Sequence, residues 1–328
     1  MIRIGILGAA KIAPDALLAP VRERDDAQVT CVAARDPERA RHYADAHGIA
    51  HVAQDYAALI ARDDLDLIYV ALPASGHAEW SIRALEAGKA VLCEKPFAMN
   101  AAEARAMVAA SAAAGRPLIE AFHYRYHPVM TQTVRLIGEG AIGRLLDAEA
   151  DFHVPIAFQP TELRWLPETG GGALMDLGCY PLHALRSAVG AEPTVSRAAM
   201  VMSRGVDETT QADLAFPGGV TATLKTSMAP GGFSARLFLR GETGSMDIRN
   251  FVAPQLGCRM ILTRGGQATD LPVDPRPTYA WQFDHVMAVL AGRATPLTGG
   301  ADAVATMAAI DAIRGGGGVG AFSPEDVR

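Results

Sequence analysis

The sequence is poor in the features that mark an exported, membrane-bound or disulfide-stabilised protein. It has four cysteines in 328 residues and no Cys-x-x-Cys pair, so we expect reduced thiols and neither a disulfide framework nor a thiolate metal site. No apolar run reaches the ~18 residues that a membrane-spanning helix needs. The first residues enter a strand-like run directly, without the basic and then apolar layout of a signal peptide. We therefore predict a cytoplasmic protein.

The chain also lacks an excess of positive charge. The formal net charge is −6, which argues against a nucleic-acid-binding surface and favours a small-molecule partner. Hydrophobic residues make up 50% and charged residues 20% of the chain, which is ordinary for globular domains. At roughly 150 residues per domain, the length predicts two domains.

The two parts of the chain differ in pattern. Residues 1–122 alternate strand-like and helix-like segments, which predicts a parallel α/β domain of the dinucleotide-binding (Rossmann) type. Residues 123–328 continue with several β-type runs separated by Gly-rich turns, which predicts an α+β domain with a large, mostly antiparallel sheet. We expect the first domain to bind a cofactor and the second to bind the substrate.

The first strand-like run ends in a turn that resembles a phosphate-binding motif. Residues 8–13 follow the pattern G-x-A-x-x-A, where dinucleotide-binding turns have G-x-G-x-x-G. Gly8 suits the tight turn, whereas the methyl group of Ala10 would hold a pyrophosphate slightly away from the backbone. Because a phosphate would lie at the N-terminus of the following helix, we predict cofactor contacts from Gly8, Ala10, Lys11 and Ile12.

The end of the second strand-like run bears on the choice of cofactor. Ala34 stands where an acidic residue would bind the ribose 2′-hydroxyl of NAD. Arg35 follows it and can accommodate the 2′-phosphate of NADP. We therefore predict NADP as the cofactor, with NAD as the alternative because Asp36 can still reach a ribose.

Two further strand-like runs end in residues suited to a ligand site. The first ends at Leu72-Pro73. The second stops at Glu94-Lys95-Pro96, because proline cannot donate to a strand ladder. Open α/β sheets bind ligands at the carboxyl ends of their strands, and a charged pair there is costly unless something polar receives it. The residues that we predict to line the cofactor site at these two strand ends are Leu72, Pro73, His77 in the loop that follows, Glu94 and Lys95.

The second part of the chain carries two pairs of functional side chains with helical spacing. Asp176 and Tyr180 lie four residues apart on a predicted helix and share one face. His123 and His127 have the same spacing. No acidic or cysteine partner is spaced to complete a metal site with them, so we predict no metal.

Four segments resemble the Gfo/Idh/MocA oxidoreductase family. They are GILGAAKIA at 5–13, Glu94-Lys95-Pro96, EAFHYRYHP at 120–128 and GGGALMDLGCYPLHALR at 170–186. The last two are most similar to the subgroup of glucose-fructose oxidoreductase, dimeric dihydrodiol dehydrogenase and NADP-linked D-xylose dehydrogenase. Many other members of the family have histidine where this chain has Tyr180, which argues against an inositol-type substrate.

The resemblance implies roles for particular residues. Lys95 would be the active-site lysine, with a cis bond to Pro96, and Glu94 would contact the nicotinamide ribose. Asp176 and Tyr180 would face the substrate.

We also predict cofactor contacts from Arg125 and Trp165, and we expect the loop 155–169, which carries Arg164 and Trp165, to shape the substrate pocket. The resemblance further implies that one face of the sheet in the second domain would be open and would pair subunits into a homodimer or a higher oligomer.

The expected reaction is reversible hydride transfer between NADP and a secondary alcohol or hemiacetal carbon of a sugar, polyol or vicinal diol. The hydroxyl proton must leave with the hydride, which requires a base. Tyr180 is the candidate, since lowering a tyrosine pKa of about 10 by two units takes roughly 2.7 kcal/mol. The Lys95 ammonium at ~4 Å would supply about 4 kcal/mol at an effective dielectric constant of about 20. The reverse assignment, with Lys95 as the acid/base, stays open, and Asp176 would bind a second hydroxyl.

Two other functions remain open. One is aldose-aldose oxidoreduction with a retained cofactor, although the chain has no long N-terminal arm to cover such a cofactor. The other is a non-catalytic NADP-binding sensor, which the fold alone would allow. A sensor would have no reason to keep Lys95, Asp176 and Tyr180 together.

Overall fold

The computed structural model describes residues 1–316. Their contacts divide them into two compact units, one of Met1–His123 with Tyr279–Val304 and the other of Tyr124–Thr278 with the residues from Ala305 onward. The division into domains 1–122 and 123–328 stays a prediction, and its last residues, 317–328, lie outside the described part. The structure adds that the segment 279–304 packs with the first unit.

The first unit is built on a six-stranded parallel sheet, which confirms the predicted Rossmann-type architecture. The strand order is β3-β2-β1-β4-β5-β6, and every neighbouring pair is parallel. The order reverses between β1 and β4, and such sheets bind ligands beyond the carboxyl ends of the strands at this point. The strands are β1 (Ile2–Leu7), β2 (Ala27–Ala33), β3 (His51–Val52), β4 (Leu67–Val70), β5 (Ala90–Cys93) and β6 (Leu118–Glu120).

Helices connect these strands, and two of them begin at the residues that the sequence favours as caps. The Asp36 side chain accepts hydrogen bonds from two backbone N–H groups in the first turn of α2. Asn100 accepts from the N–H of Glu103 at the start of α5, while Glu103 accepts from the N–H of Met99. The helices are a π-helical turn (Pro14–Leu18) leading into α1 (Ala19–Arg22), α2 (Pro37–His47), α3 (Tyr56–Ile60), α4 (His77–Glu86) and α5 (Ala101–Ala114).

The core of the first unit explains why a distant segment packs with it. Helix α8 (Thr278–Leu290) contributes buried apolar side chains to the cluster that covers the sheet. The cluster joins strand residues to helix residues, among them Ile4, Ile6, Tyr69, Leu92, Phe283, Val286 and Met287.

The second unit is built on an eight-stranded sheet in the order β14-β13-β12-β11-β7-β10-β9-β8. Strands β7 and β10 pair in parallel, and the other neighbours pair antiparallel, which confirms the predicted mostly antiparallel sheet. The strands are β7 (Leu145–His153), β8 (Thr194–Ser203), β9 (Val206–Ala215), β10 (Thr221–Ser227), β11 (Ser234–Gly241), β12 (Gly244–Arg249), β13 (Arg259–Arg264) and β14 (Gln267–Leu271).

Helix α7 (Cys179–Val189) covers this sheet, and α6 (Pro128–Gly138) packs on α7. A π-helical segment, Leu174–Gly178, leads into α7, and α7 packs on β7, β10 and β11. Helix α9 spans Gly300–Arg314. No helix within residues 1–316 is both long enough and apolar enough to cross a membrane. All four cysteines are free thiols.

Candidate active site

The turn after β1 has the geometry of a phosphate-binding turn. Gly8 has a φ of +103°, and a Cβ atom there would lie 2.4 Å from the carbonyl oxygen of Ala71, so only glycine fits. The backbone N–H groups of Ala10, Lys11 and Ile12 make no hydrogen bond to other groups in residues 1–316. They therefore remain able to donate to an anion at the start of the helix, as the sequence predicts.

Arg35 and Asp36, which follow β2, have different environments. Oδ1 of Asp36 accepts from the N–H of Glu38 at 2.9 Å and from the N–H of Arg39 at 3.4 Å, so this oxygen caps α2. Arg35 is exposed beside it. Arg39 is a residue that the sequence reasoning missed, and its guanidinium donates to the Ala9 carbonyl of the phosphate turn at 2.7 Å. Its place in the first turn of α2, four residues after Arg35 in the chain, was the available signal.

His77 occupies a different environment from the predicted loop. It is the first residue of α4 and is 1% exposed, which corrects its placement in a loop. Its Nδ1 lies 2.9 Å from the carbonyl oxygen of Pro96, and its Nε2 lies 2.8 Å from that of Leu72. Burial lowers the pKa of His77, and these carbonyl oxygens oppose that effect only in part. The ring links the segments that follow β4 and β5, and its contact with the cofactor stays a prediction.

Glu94 and Lys95 lie half-buried at the carboxyl end of β5. The Lys95–Pro96 peptide bond is cis, which confirms that expectation. Oε1 of Glu94 accepts a hydrogen bond of 2.5 Å from the hydroxyl of Tyr69 on β4. Oε2 of Glu94 faces the backbone N–H of Lys95 at 3.3 Å. The carboxylate therefore has a fixed orientation at the strand end.

In the second unit, Asp176 and Tyr180 lie where the π-helical segment passes into α7. Such π-helical segments occur frequently at functional sites. Tyr180 is buried, with its ring edge-on to Phe152 at a centroid distance of 5.5 Å and tilted against Tyr124 at 5.7 Å. The aromatic neighbours fix the ring. Asp176 and Tyr180 lie in the same unit, and their shared face stays a prediction.

The loop before this helix supplies a partner for Asp176. Nε of Arg164 donates to Oδ2 of Asp176 at 2.6 Å, and the two side chains are 44% and 17% exposed. The Asp176 carboxylate is the largest reason that the pKa of Arg164 is raised. Arg164 also donates to Glu162 at 2.9 Å. This part of the predicted pocket loop therefore reaches Asp176 directly.

Two predicted cofactor residues also lie in the second unit. Arg125 is half-buried in a 3-10 turn, His123–Tyr126. Trp165 is buried, and its indole N–H donates to the carbonyl of Ile156 at 3.2 Å, so it anchors the loop. Their contacts with the cofactor stay predictions.

Asp207 on β9 is a further residue that the sequence reasoning missed. It is 6% exposed, and its Oδ2 accepts from the N–H of Leu174 at 2.7 Å and from the hydroxyl of Thr210 at 2.6 Å. Its Oδ1 would lie 2.1 Å from a Cβ atom on Gly172, so the glycine allows the close approach. Asp207 thereby holds the start of the helix that carries Asp176. No local pattern marks it, because it lies over thirty residues from its partner.

Replacement of Asp207 by alanine is expected to lower the free energy of unfolding by about 2–4 kcal/mol, because two buried donors lose their acceptor. Urea denaturation followed by circular dichroism measures this loss. Asp270→Ala is the control, since that carboxylate forms an exposed pair with Arg259 and its loss should change the midpoint little. Equal midpoints for the two variants would contradict the anchoring role.

The histidine pair does not form a metal site. Nδ1 of His127 accepts from the N–H of Val129 at 3.2 Å, and its Nε2 lies 3.1 Å from the carbonyl oxygen of Asp274. His127 is thus the N-cap of α6. In the described part of the chain, no group of three His, Cys, Asp or Glu side chains could hold a metal ion.

Two family models match the chain. The model described as an oxidoreductase family with an NAD-binding Rossmann fold matches residues 2–122, and the model of a GFO/IDH/MocA C-terminal domain matches residues 130–247. Together they cover more than half of the chain. One matches the predicted Rossmann-type domain, and the other matches part of the predicted second domain.

Curated relatives include members of the predicted subgroup. D-xylose 1-dehydrogenase (NADP(+)) 2 of Haloferax volcanii is 29% identical over 314 residues, 94% of this chain and 95% of the relative. Trans-1,2-dihydrobenzene-1,2-diol dehydrogenase of Xenopus laevis is 35% identical over 227 residues, 68% of this chain and 68% of the relative.

Solved structures agree over nearly the whole chain. A 3-ketoreductase from Actinomadura kijaniata, in complex with NADP and TDP-benzene, has a TM-score of 0.87 and 30% identity, over 98% of this chain and 99% of that one. An aldose-aldose oxidoreductase from Caulobacter crescentus, with glycerol, has a TM-score of 0.87 and 28% identity, over 95% and 96%. This chain therefore belongs to the Gfo/Idh/MocA oxidoreductase family.

Proposed function

We propose that the protein transfers a hydride between NADP and a secondary alcohol or hemiacetal carbon of a sugar, polyol or vicinal diol. One observation carries the proposal. The predicted cofactor residues of the first unit follow the carboxyl ends of β1, β2, β4 and β5, on both sides of the point where the strand order reverses. The D-xylose and dihydrodiol dehydrogenases among the relatives support this class of substrate.

The residues of the first unit fit a dinucleotide. The free N–H groups of residues 10–12 and the tight turn at Gly8 suit the pyrophosphate. Arg35 and Arg39 are proposed to bind the 2′-phosphate of NADP. Asp36 is less suited to the ribose of NAD because one of its oxygens caps α2. Glu94 is proposed to bind the nicotinamide ribose.

The nicotinamide supplies the hydride chemistry, and the side chains orient the substrate and move one proton. We assign Tyr180 as the group that takes the hydroxyl proton during oxidation, with Lys95 as the positive charge that stabilises its phenolate. Asp176, held by Arg164, accepts from a second hydroxyl of the substrate. A substrate with two neighbouring hydroxyls satisfies both residues.

A second candidate is aldose-aldose oxidoreduction, in which the cofactor is oxidised and reduced without leaving. The similarity to the Caulobacter crescentus enzyme favours it. Under this alternative the same residues act, and turnover needs no free NADP.

The test is a substrate panel of aldoses, inositols and trans-dihydrodiols, each with added NADP or NAD, followed by absorbance of the reduced cofactor. We expect turnover of at least one aldose or diol, with a lower KM for NADP than for NAD. Turnover of paired aldoses without added cofactor would favour the second candidate. Tight NADP binding with no turnover across the panel would contradict both enzymes and support a sensor.

We further propose that the protein is a cytoplasmic homodimer that pairs through the sheet of the second unit. One face of this sheet carries α7. The alternate residues of the strands are polar, among them Glu149 and Lys225, which are exposed, and the ion pair of Arg236 with Asp247. We propose that the face not covered by α7, which carries these polar residues, forms the interface between the two subunits. The molar mass of the protein in solution tests whether it is a dimer.

A further inference from the structure

Tyr69 and Glu94 form a buried hydrogen bond at the carboxyl end of the first sheet. Tyr69 is 0% exposed, and its hydroxyl donates to Oε1 of Glu94 over 2.5 Å. Burial, and next the Glu94 carboxylate, raise the pKa of Tyr69 well above its ordinary value. The phenol therefore keeps its proton, and Glu94 is the acceptor.

Strand register produces this contact. Tyr69 on β4 pairs with Leu92 on β5, and both belong to the same core cluster. Side chains two apart on a strand share a face, so Glu94 lies on the same side as Leu92, one step nearer the strand end. The long tyrosine ring spans that step and brings its hydroxyl to the carboxylate.

The hydrogen bond between Tyr69 and Glu94 is not explained by a contribution to folding stability alone. Burying a phenol hydroxyl and part of a carboxylate costs free energy that the hydrogen bond offsets only in part. A phenylalanine at position 69 would fill the same core space without a polar group to satisfy. The bond therefore indicates that the orientation of the Glu94 carboxylate has a use.

The orientation also restricts what Glu94 can bind. With Oε1 accepting from Tyr69, the carboxylate presents acceptors and no donor, so its ligand must donate. A hydroxyl pair fits this requirement, whereas a phosphate would be repelled. Tyr279 on α8 is half-buried, and its pKa is raised first by burial and next by the Glu94 carboxylate, so a second phenol lies near that carboxylate.

We propose that Tyr69 is a positioning residue that holds the Glu94 carboxylate toward the nicotinamide ribose and so sets the affinity of the nicotinamide half of the cofactor. This inference rests on the proposed function, which assigns Glu94 to that ribose. Tyr69 does not touch the cofactor and acts through Glu94.

The test compares two ligands on purified full-length variants by isothermal titration calorimetry. NADP has both halves of the dinucleotide, whereas adenosine 2′,5′-bisphosphate has only the adenine half and no nicotinamide ribose. Tyr69→Phe is expected to raise the Kd of NADP roughly tenfold, which corresponds to a loss of about 1.4 kcal/mol of binding free energy. It is expected to leave the Kd of the bisphosphate unchanged. Glu94→Gln is expected to weaken NADP binding as well, and the double variant to weaken it no further than Glu94→Gln alone.

A matched control separates this effect from loss of stability. Thr133→Val removes another fully buried hydroxyl, which donates to the Val129 carbonyl at 2.7 Å within α6 of the second unit. It is expected to change neither Kd.

The outcomes distinguish the inference from the function on which it rests. If Glu94→Gln weakens NADP binding and Tyr69→Phe does not, the positioning role is wrong and the proposed function stands. If Tyr69→Phe weakens both ligands equally, its effect is general damage to the unit, and the inference is again wrong. If Glu94→Gln leaves NADP binding unchanged, the assignment of Glu94 fails, and the inference fails with it.

Discussion

Replacement of Tyr180 by phenylalanine is expected to lower kcat by about 10²–10⁴-fold, the usual contribution of a positioned acid or base. Phenylalanine keeps the ring in contact with Phe152 and Tyr124, so the fold and the substrate pocket should persist. The measurement is steady-state turnover across pH with the best substrate from the panel. The ionisation that governs kcat in the parent protein should disappear from the profile of the variant.

Tyr124→Phe is the control for this result. Tyr124 is also buried, and its hydroxyl lies 2.6 Å from Nδ1 of His183, so the variant loses a hydroxyl of the same unit. It should lower kcat far less than Tyr180→Phe. Near-full turnover by Tyr180→Phe at every pH would end the assignment of Tyr180 as the proton-transfer group.

Replacement of Lys95 by methionine is expected to lower kcat at neutral pH by roughly 10²-fold, because the phenolate loses a nearby positive charge. The attraction of about 4 kcal/mol that such a charge provides at ~4 Å is partly offset by desolvation of the phenolate. Without the ammonium, the phenolate of the buried Tyr180 loses its stabilising charge, so the pKa of Tyr180 should rise. Oxidation of the alcohol should therefore recover as the pH rises, because the phenolate then forms without help.

Lys95→Arg tests the opposite assignment. Arginine keeps the charge but cannot act as a base, since its pKa lies above ~12. If Lys95 only stabilises the phenolate, the arginine variant should be more active than the methionine variant at neutral pH. An arginine variant as inactive as Lys95→Met, with no recovery of Lys95→Met at high pH, would identify Lys95 as the acid/base.

Local patterns predicted much of the first unit because the relevant forces act between near neighbours. The strand that stops before Pro96 and the turn at Gly8 each depend on residues within a few positions. The same reasoning placed His77 in a loop, where the structure has the first residue of α4 with a buried side chain. Its two carbonyl neighbours come from different strand ends, which no local pattern reports.

The second unit was harder to predict in detail. The pattern of Gly-rich turns indicated an antiparallel sheet, but the local sequence does not mark every one of its strands. The exposed strand β14, at the sheet edge, lacks the alternation that burial of one face produces. The segment 279–304 packs with the first unit because α8 carries buried apolar side chains that match that core, and its position in the chain gives no sign of this.

The order of residues along the chain was sufficient for the class of fold, the family and the candidate residues Lys95, Asp176 and Tyr180, because each depends on a short motif. Only the tertiary structure shows three hydrogen bonds near these residues. Tyr69 donates to Glu94, and Arg164 donates to Asp176. Asp207 accepts from the backbone at the start of the helix that carries Asp176. Two of these three contacts join strands or helices more than twenty residues apart. A buried polar group takes whichever partner the packing brings within hydrogen-bonding distance, and that partner is fixed by strand register and helix placement.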